Sequence, residues 1–548
     1  HRELATGRGG QQTRYNPTQT SKVLETYLNY TTPKPLGPGT LDLTGGYSWT
    51  QTHTDSVYWE GNGLSTDEFG NDSLVPAATV TDIKFEQESK LISFFGRMNY
   101  NINDRYIVSA SVRRDGSSRF GAANDYGTFP SVSVAWRLSQ ESFLRGAHWL
   151  TDLKLRGSWA KTGNQSFGNY LQYSSYQPGD NQTTYQFGDT IFQTSRPSAV
   201  DPNIKWEQTK AVNVGLDFGV AHGRITGAID YYDKLTDDLL FTVPVAAFTN
   251  LSNFVTTNVG SMRNYGIEMS LGLRLIQGNN EGGLNWQADF TAAHNTNNLR
   301  TITPFGGTAL KILTGDVSGG VGTKIQVLSP GVPVNSFYVY EHIRENGVPI
   351  YRDVNGGRVD GLPDGNINEQ DLYVDQNGDG IINQGDLRPF HDPAPKWILG
   401  HSSYITRGKF DLGFTLRAYL GNYIYNNVAS ASGDYRELSA GNSPYNLHSS
   451  VLQTGFQTQQ LQSDVYVEKA SFLRMDNITL GYTFNLGGQS ARAFGTLQNL
   501  FTITNYSGVD PSANITPLNP ETTSTVNGID NNIYPRSRTF SAGISFRL

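Results

Sequence analysis

The chain contains no cysteine, which excludes disulfides and cysteine-ligated metals. Charge is thin. Asp, Glu, Lys and Arg make up 17% of its 548 residues, against roughly 25% in an ordinary soluble protein. Apolar residues, glycine not counted, make up 37%. No stretch approaches the roughly 18 consecutive apolar residues of a membrane helix. The net charge is −7 without a basic patch, which argues against a nucleic-acid partner. Enzyme signatures are missing: there is no G-x-S-x-G, no H-E-x-x-H and no G-x-x-x-x-G-K-[ST]. The nine His are scattered without ligand spacing, and the pair Asp237-Asp238 reads as solvated charge. No signal peptide precedes His1, so an exported protein of this kind is expected to be a processed chain or a piece of a longer one.

What fills the chain instead is Gly (59), aromatics (12%) and abundant Asn, Thr and Ser. That mixture suits strands, tight turns and long polar loops. The organising signal is period two. In the last segment Phe540, Ala542, Ile544, Phe546 and Leu548 alternate with Ser541, Gly543, Ser545 and Arg547. The same alternation runs through Val132–Leu138, Val212–Val220, Ile225–Tyr231, Phe410–Leu416 and Ile478–Phe484. Each such strand has one lipid-compatible face and one small or polar face, as the wall of a membrane barrel requires.

Short and long connections also alternate. Asn103-Asp104, Ala221-His222-Gly223, Gln277 to Gly282, Arg407-Gly408-Lys409 and Gly487-Gly488 are short; 53–88, 164–206, 424–463 and 503–533 are long. Short periplasmic turns and long outer loops are the known asymmetry of such barrels. With the C-terminus on the inner side, strands are predicted at 21–30, 40–52, 90–101, 106–116, 128–138, 152–163, 208–220, 224–236, 258–276, 283–298, 396–406, 410–422, 465–484, 490–502 and 535–548. The same parity makes 299–395 one large outer or lumenal excursion, with 334–342 as local β structure inside it. The prediction is an all-β, transmembrane antiparallel β-barrel of about 15 strands. Bacterial barrels have even strand numbers, and plugged outer-membrane transporters have roughly 22. About seven strands are therefore expected from another segment or chain, with His1 to Thr20 as the end of an outer loop.

Several segments resemble the SusC/RagA group of TonB-dependent transporters. They are LISFFGRMNYNINDRYIVSASVRRDGSSRFG (91–121), LKLRGSWAKTGNQ (153–165), NIKWEQTKAVNVGLDFG (203–219), NVGSMRNYGIEMSLG (258–272), FLRMDNITLGYTF (472–484) and IYPRSRTFSAGISF (533–546). The resemblance implies a multi-pass barrel of the bacterial outer membrane, 22-stranded and filled by an N-terminal plug. It also implies contact with TonB through that plug and a SusD-like surface lipoprotein acting as a lid. The plug and TonB box are absent from these residues. The implied task is energy-coupled uptake of a glycan or oligopeptide. A passive porin or an adhesive barrel is the alternative.

One local motif carries its own chemistry. DQNGDGIINQGD follows the D-x-N-x-D-G pattern of a calcium loop. Asp375, Asn377 and Asp379 offer oxygens at positions 1, 3 and 5, Ile381 its carbonyl at 7, Asn383 at 9 and Asp386 at 12, with Gly380 at the sharp turn. The expected ion is a structural calcium that stiffens a long loop. A weaker copy upstream offers Asp360, Asp364, Gly365, Asn368 and Asp371, but Leu362 cannot ligate. The C-terminal Ser541-x-Gly543-x-x-Phe546-x-Leu548 resembles a barrel-assembly signal. Tyr170, Tyr173, Tyr176, Tyr185, Tyr435 and Tyr445 have the flat area and polar tip that suit sugar or peptide contact, but they are expected to serve loop packing or the aromatic girdle.

Overall fold

A computed structural model describes residues 11–33, 36–64, 77–121, 123–178, 184–245, 253–278, 282–303, 307, 309–350, 369–439, 446–513, 528–531 and 533–546. Fifteen strands form one antiparallel sheet. They are β1 Gln11–Thr31, β2 Gly39–Leu64, β3 Ala77–Ile102, β4 Tyr106–Ser117, β5 Tyr126–Arg137, β6 Leu150–Asn164, β7 Glu207–Val220 and β8 Ile225–Pro244. They continue as β9 Phe254–Ile276, β10 Leu284–Ile302, β11 Trp397–Arg407, β12 Phe410–Leu420, β13 Phe472–Leu486, β14 Gln489–Thr504 and β15 Thr539–Phe546. Each pairs with its neighbours in sequence, so the wall is an uninterrupted up-and-down meander.

Register carries the alternation from strand to strand. Val132 faces Trp159, which faces Val212; Leu412 faces Leu480, which faces Gly495; Leu497 faces Phe540. Because the side-chain period is 2, direct pairing keeps all of these on one face. That face stays open: Val134, Leu480 and Phe540 are 53%, 56% and 73% exposed. Lipid is the solvent that covers such a face. The opposite face carries Ser111, Ser131, Arg156, Asp217, Asp411 and Arg492.

Inner turns follow from local residues. Asn103 and Asp104 have φ of 51° and 56°, and Gly487 and Gly488 of 60° and 88°. Two consecutive positive φ values make the turn that matches strand twist, and Asn, Asp and Gly adopt them at low cost.

Outer boundaries depart from the expectation. The loop predicted at 53–88 is largely strand, because β2 runs to Leu64 and β3 starts at Ala77. Likewise Gln11–Thr20, expected as loop, is paired with His53–Asn62. At roughly 3.4 Å per residue, the 26 residues of β2 far exceed an apolar band of about 25 Å. Beyond the band the apolar alternation stops, but the backbone still needs its hydrogen bonds, so the ladder continues. The segment predicted as strand from 465 enters the wall only at Phe472; Val467–Lys469 pairs with Tyr423–Asn426 instead. The last strand starts at Thr539 rather than 535. Residues 547–548, including the Leu548 of the assembly signal, lie outside the described residues.

The excursion after β10 is a folded unit. Ile312–Asp316, Lys324–Leu328, Ser336–Val339 and Arg388–Phe390 form a four-stranded sheet, so the local β structure expected at 334–342 is present. The 424–463 loop holds short helices at Asn427–Ser432, Arg436–Ser439 and Val451–Thr454.

Candidate transport wall and outer loop domain

The inner face holds its charges as flat, matched pairs. Arg156 on β6 reaches across β7, with Nη2 2.7 Å from Asp217 Oδ1 and 3.0 Å from Asp230 Oδ2. Lys154 Nζ lies 2.7 Å from Asp217 Oδ2. Between them sits Gly215, where a Cβ would collide with the Arg156 guanidinium. Arg492 and Asp411 repeat the device around Gly481, with Nε to Oδ1 at 2.8 Å. In both places the missing side chain lets a planar guanidinium lie against the wall, where it meets carboxylate edge to edge.

At the outer mouth, loops fold back on the wall. Phe129 on the inner face of β5 packs with Phe120, Ile204, Trp206 and Leu240. Tyr170 accepts the Glu88 backbone N–H at 2.9 Å, and Tyr185 stacks on Phe192 at 5.4 Å. These two Tyr therefore serve loop packing. Tyr173 and Tyr176 are exposed, and Tyr445 lies outside the described residues. Tyr435 borders a cavity of about 530 Å³ with Glu345, Val348 and Leu452.

Three outer connections share one hydrophobic core. Val317, Ile325, Phe337, Val339 and Leu372 come from the first, Tyr425, Phe456, Tyr466 and Val467 from the second, and Ile529 from the third. Tyr423–Asn426 joins them by pairing antiparallel with Val467–Lys469 and parallel with Ile529–Asp530. The Tyr425 hydroxyl, fully buried, donates to the Leu461 carbonyl, and burial pushes its pKa well above the usual phenol range.

A polar knot crosses this core. His342 is 1% exposed, with Nδ1 3.0 Å from Ser463 Oγ and 3.3 Å from Asp464 Oδ1. Arg344 Nη2 closes on Asp464 Oδ2 at 2.6 Å. Burial holds the His342 pKa below the ordinary imidazole value. Burial also works to raise the Asp464 carboxyl, but hydrogen bonds from His342 and Arg344 outweigh it and leave the group low. The two partners meet only through the tertiary fold, 122 residues apart, and no spacing signal in the sequence marks them.

The 375–386 loop hangs from this knot. Arg388 Nη2 is 2.6 Å from Glu341 Oε1, and Gln376 Nε2 donates to Glu341 Oε2 at 2.9 Å. Within the loop, Asp375 Oδ1 accepts from Gly378 N–H at 2.7 Å and Oδ2 from Gly380 N–H at 2.8 Å. Asn377 Oδ1 accepts from Asp379 N–H, and Asp379 Oδ1 from Ile381 N–H, both at 2.9 Å. Gly378 and Gly380 take φ of 72° and 80°, a conformation that suits glycine. The Gly380 N–H, with the other loop amides, holds the Asp375 carboxyl low against opposing desolvation. Asp386 is fully buried; Oδ1 accepts from Gln376 N–H at 2.9 Å and Oδ2 from Asn383 N–H at 2.8 Å. The tight turn therefore gathers Asp375, Asn377 and Asp379 together, with their oxygens engaged by the loop's own N–H groups. Of the weaker upstream motif only Asp371 is described, and it is buried; Asp360, Asp364, Gly365 and Asn368 lie outside the described residues.

An antiparallel meander with one continuous apolar face and one polar, ion-paired face is the wall of a membrane barrel. The family model described as TonB dependent receptor-like, beta-barrel, matches residues 2–340. The chain belongs to this family. It is 36% identical over 536 residues to the TonB-dependent receptor SusC of Bacteroides thetaiotaomicron, covering 95% of this chain and 49% of SusC. It is 29% identical over 567 residues to TonB-dependent receptor P3 of Formosa agariphila, covering 99% of this chain and 54% of that protein. The chain thus spans about half the length of these relatives. A chain of the RagAB peptide transporter superposes with a TM-score of 0.73 at 22% identity, over 98% of this chain and 56% of that one. At that identity the likeness shows the fold. The protein is an outer-membrane β-barrel of the TonB-dependent receptor-like family, and its curated relatives are named as receptors.

Proposed function

We propose that these 548 residues form the C-terminal barrel wall and outer loop domain of an energy-coupled importer for a glycan or an oligopeptide. The observation that carries this reading is the pairing of a fifteen-stranded two-faced sheet with near full-length likeness of this chain to SusC. In this reading the remaining strands and the plug come from a segment outside these residues. TonB acts through that plug, and a surface lipoprotein closes over the loop domain. The test is uptake by cells carrying the gene in its natural context. Deleting tonB is expected to abolish growth on the transported nutrient while leaving the barrel in the membrane. Uptake that continues without TonB would instead establish a passive pore.

The 375–386 loop is proposed to hold a structural calcium. Asp375, Asn377, Asp379 and Asn383 supply side-chain oxygens, Ile381 its carbonyl, and Asp386 closes the loop from the buried side. A hard cation with oxygen ligands would replace part of the amide bonding as the neutralising partner of Asp375 and Asp379. Density for an ion with oxygens near 2.4 Å is the expected result; a loop that refines without one in calcium-containing buffer refutes the site.

A further inference from the structure

We propose that His53, Asp55 and Glu86 bind a divalent transition-metal ion of the zinc type on the outward face of the β2–β3 hairpin. The hairpin rises beyond the apolar band as two long paired strands. His53 and Asp55 are two residues apart on β2, so they share a face. Glu86 on β3 is the direct cross-strand partner of Asp55. This is the face of Tyr47 and Phe94, which pack at 5.3 Å in the apolar band below.

Distances fit an ion. His53 Nε2 lies 3.0 Å from Asp55 Oδ2 and 3.5 Å from Glu86 Oε1, and one ligand atom from each residue lies within 4.8 Å of the others. Ligands about 2.1 Å from a tetrahedral zinc stand about 3.4 Å from one another. The cluster therefore needs only a small adjustment to place three ligands on one ion. An imidazole nitrogen among carboxylates favours zinc-class ions over calcium or magnesium, which take oxygen ligands.

Charge makes the same demand. The fourth carboxylate of the patch, Glu88, is engaged by Lys90 Nζ at 2.8 Å and Gln51 Nε2 at 2.5 Å. Among the described residues, neither Asp55 nor Glu86 pairs with a Lys or Arg; both converge on the His53 nitrogen. That nitrogen carries one hydrogen at most, which serves one carboxylate well and leaves the other facing it. A metal ion in place of the hydrogen satisfies all three groups. Two hydrogen-bonded strands fix the ligands in advance, and their partial exposure leaves further coordination positions to water. The sequence hides the site because the third ligand is the cross-strand partner, 31 residues beyond Asp55 on another strand.

The test is zinc titration of the full-length protein in detergent, with calcium in excess to occupy hard-cation sites. One zinc equivalent is expected in the wild type. Losing a supporting group around a metal costs about 10–100-fold in affinity, so His53→Ala and Glu86→Gln are each expected to cost at least about 100-fold. Both positions face outward, and unchanged gel migration of the folded barrel checks that the variants fold. Anomalous scattering at the zinc edge is expected between the three side chains. No zinc bound by the wild type, or equal binding by both variants, overturns the site and leaves His53 as a hydrogen-bond partner of the two carboxylates.

Discussion

The wall and the outer loop domain are made of similar residues and obey different rules. In the wall, Leu480 and Phe540 are 56% and 73% exposed; in the loop domain, Phe337, Val339 and Ile529 are completely buried. The wall lets its apolar side chains meet lipid, so each strand needs only its sequence neighbour as a partner. The loop domain stands outside the lipid, in water, and must build a core of its own. It does so by bringing together residues as far apart as Val317 and Ile529. Register and period two organise the first region, and long-range closure organises the second.

The largest expected effect breaks the loop domain alone. Phe337→Ala removes a fully buried ring and is expected to cost about 3–5 kcal/mol. Limited proteolysis should then cut the outer loops while the wall keeps its folded migration on gels. Joint loss of both would show that the wall depends on the domain above it.

A second substitution sharpens the two-faced reading of the wall. Leu480→Arg places a charge on the lipid face and is expected to cost about 2–4 kcal/mol near the midplane. Thr479, its neighbour, points the other way and meets Thr496 Oγ1 at 2.9 Å. Thr479→Arg is expected to change stability by about 0.5 kcal/mol or less. Urea unfolding from vesicles compares them; equal costs would overturn the assignment of faces.

Calcium removal is the next step down. At a calcium concentration of about 100 times Kd, occupancy is worth about 2.7 kcal/mol. A chelator should therefore speed cleavage within 375–386 and leave the wall unaffected, and Asp375→Asn should remove the chelator response. Chelation that changes nothing in the wild type speaks against the ion.

Acidification is expected to have the smallest effect, again confined to the loop domain. His342 has its pKa lowered by burial, so its contribution is full above the unfolded value of about 6.5 and is lost as pH falls through that value toward the folded one. Asp464, also held low, contributes above about 3.9 and loses its contribution only at lower pH. Protease sensitivity of the loops should rise between neutral pH and the Asp464 window, and His342→Gln should flatten that rise. A flat wild-type profile would remove His342 from the account.

How much of this was legible in the residues differs by region. Asn103-Asp104 and Gly487-Gly488 announced their turns through the positive φ they adopt. The fifteen wall strands were legible in order and direction, because a strand half in lipid must alternate. Their outer ends were not, because beyond the lipid the ladder of β2 and β3 persists without an apolar pattern to mark it. The 375–386 loop was legible as a motif because its Asp, Asn and Gly residues all lie in one short turn. His342 with Asp464, and His53 with Glu86, were not, because each pair is assembled across strands or loops.

The sequence by itself determined which residues face lipid and where the chain reverses on the inner side, since period two and turn chemistry are local properties. Only the tertiary structure decided that three outer loops share one core, that Val467–Lys469 leaves the wall to join it, and that Gly215 and Gly481 are gaps for guanidinium groups. Those outcomes depend on contacts between distant segments, where water rather than lipid sets the solvent and buried polar groups must find partners across the fold.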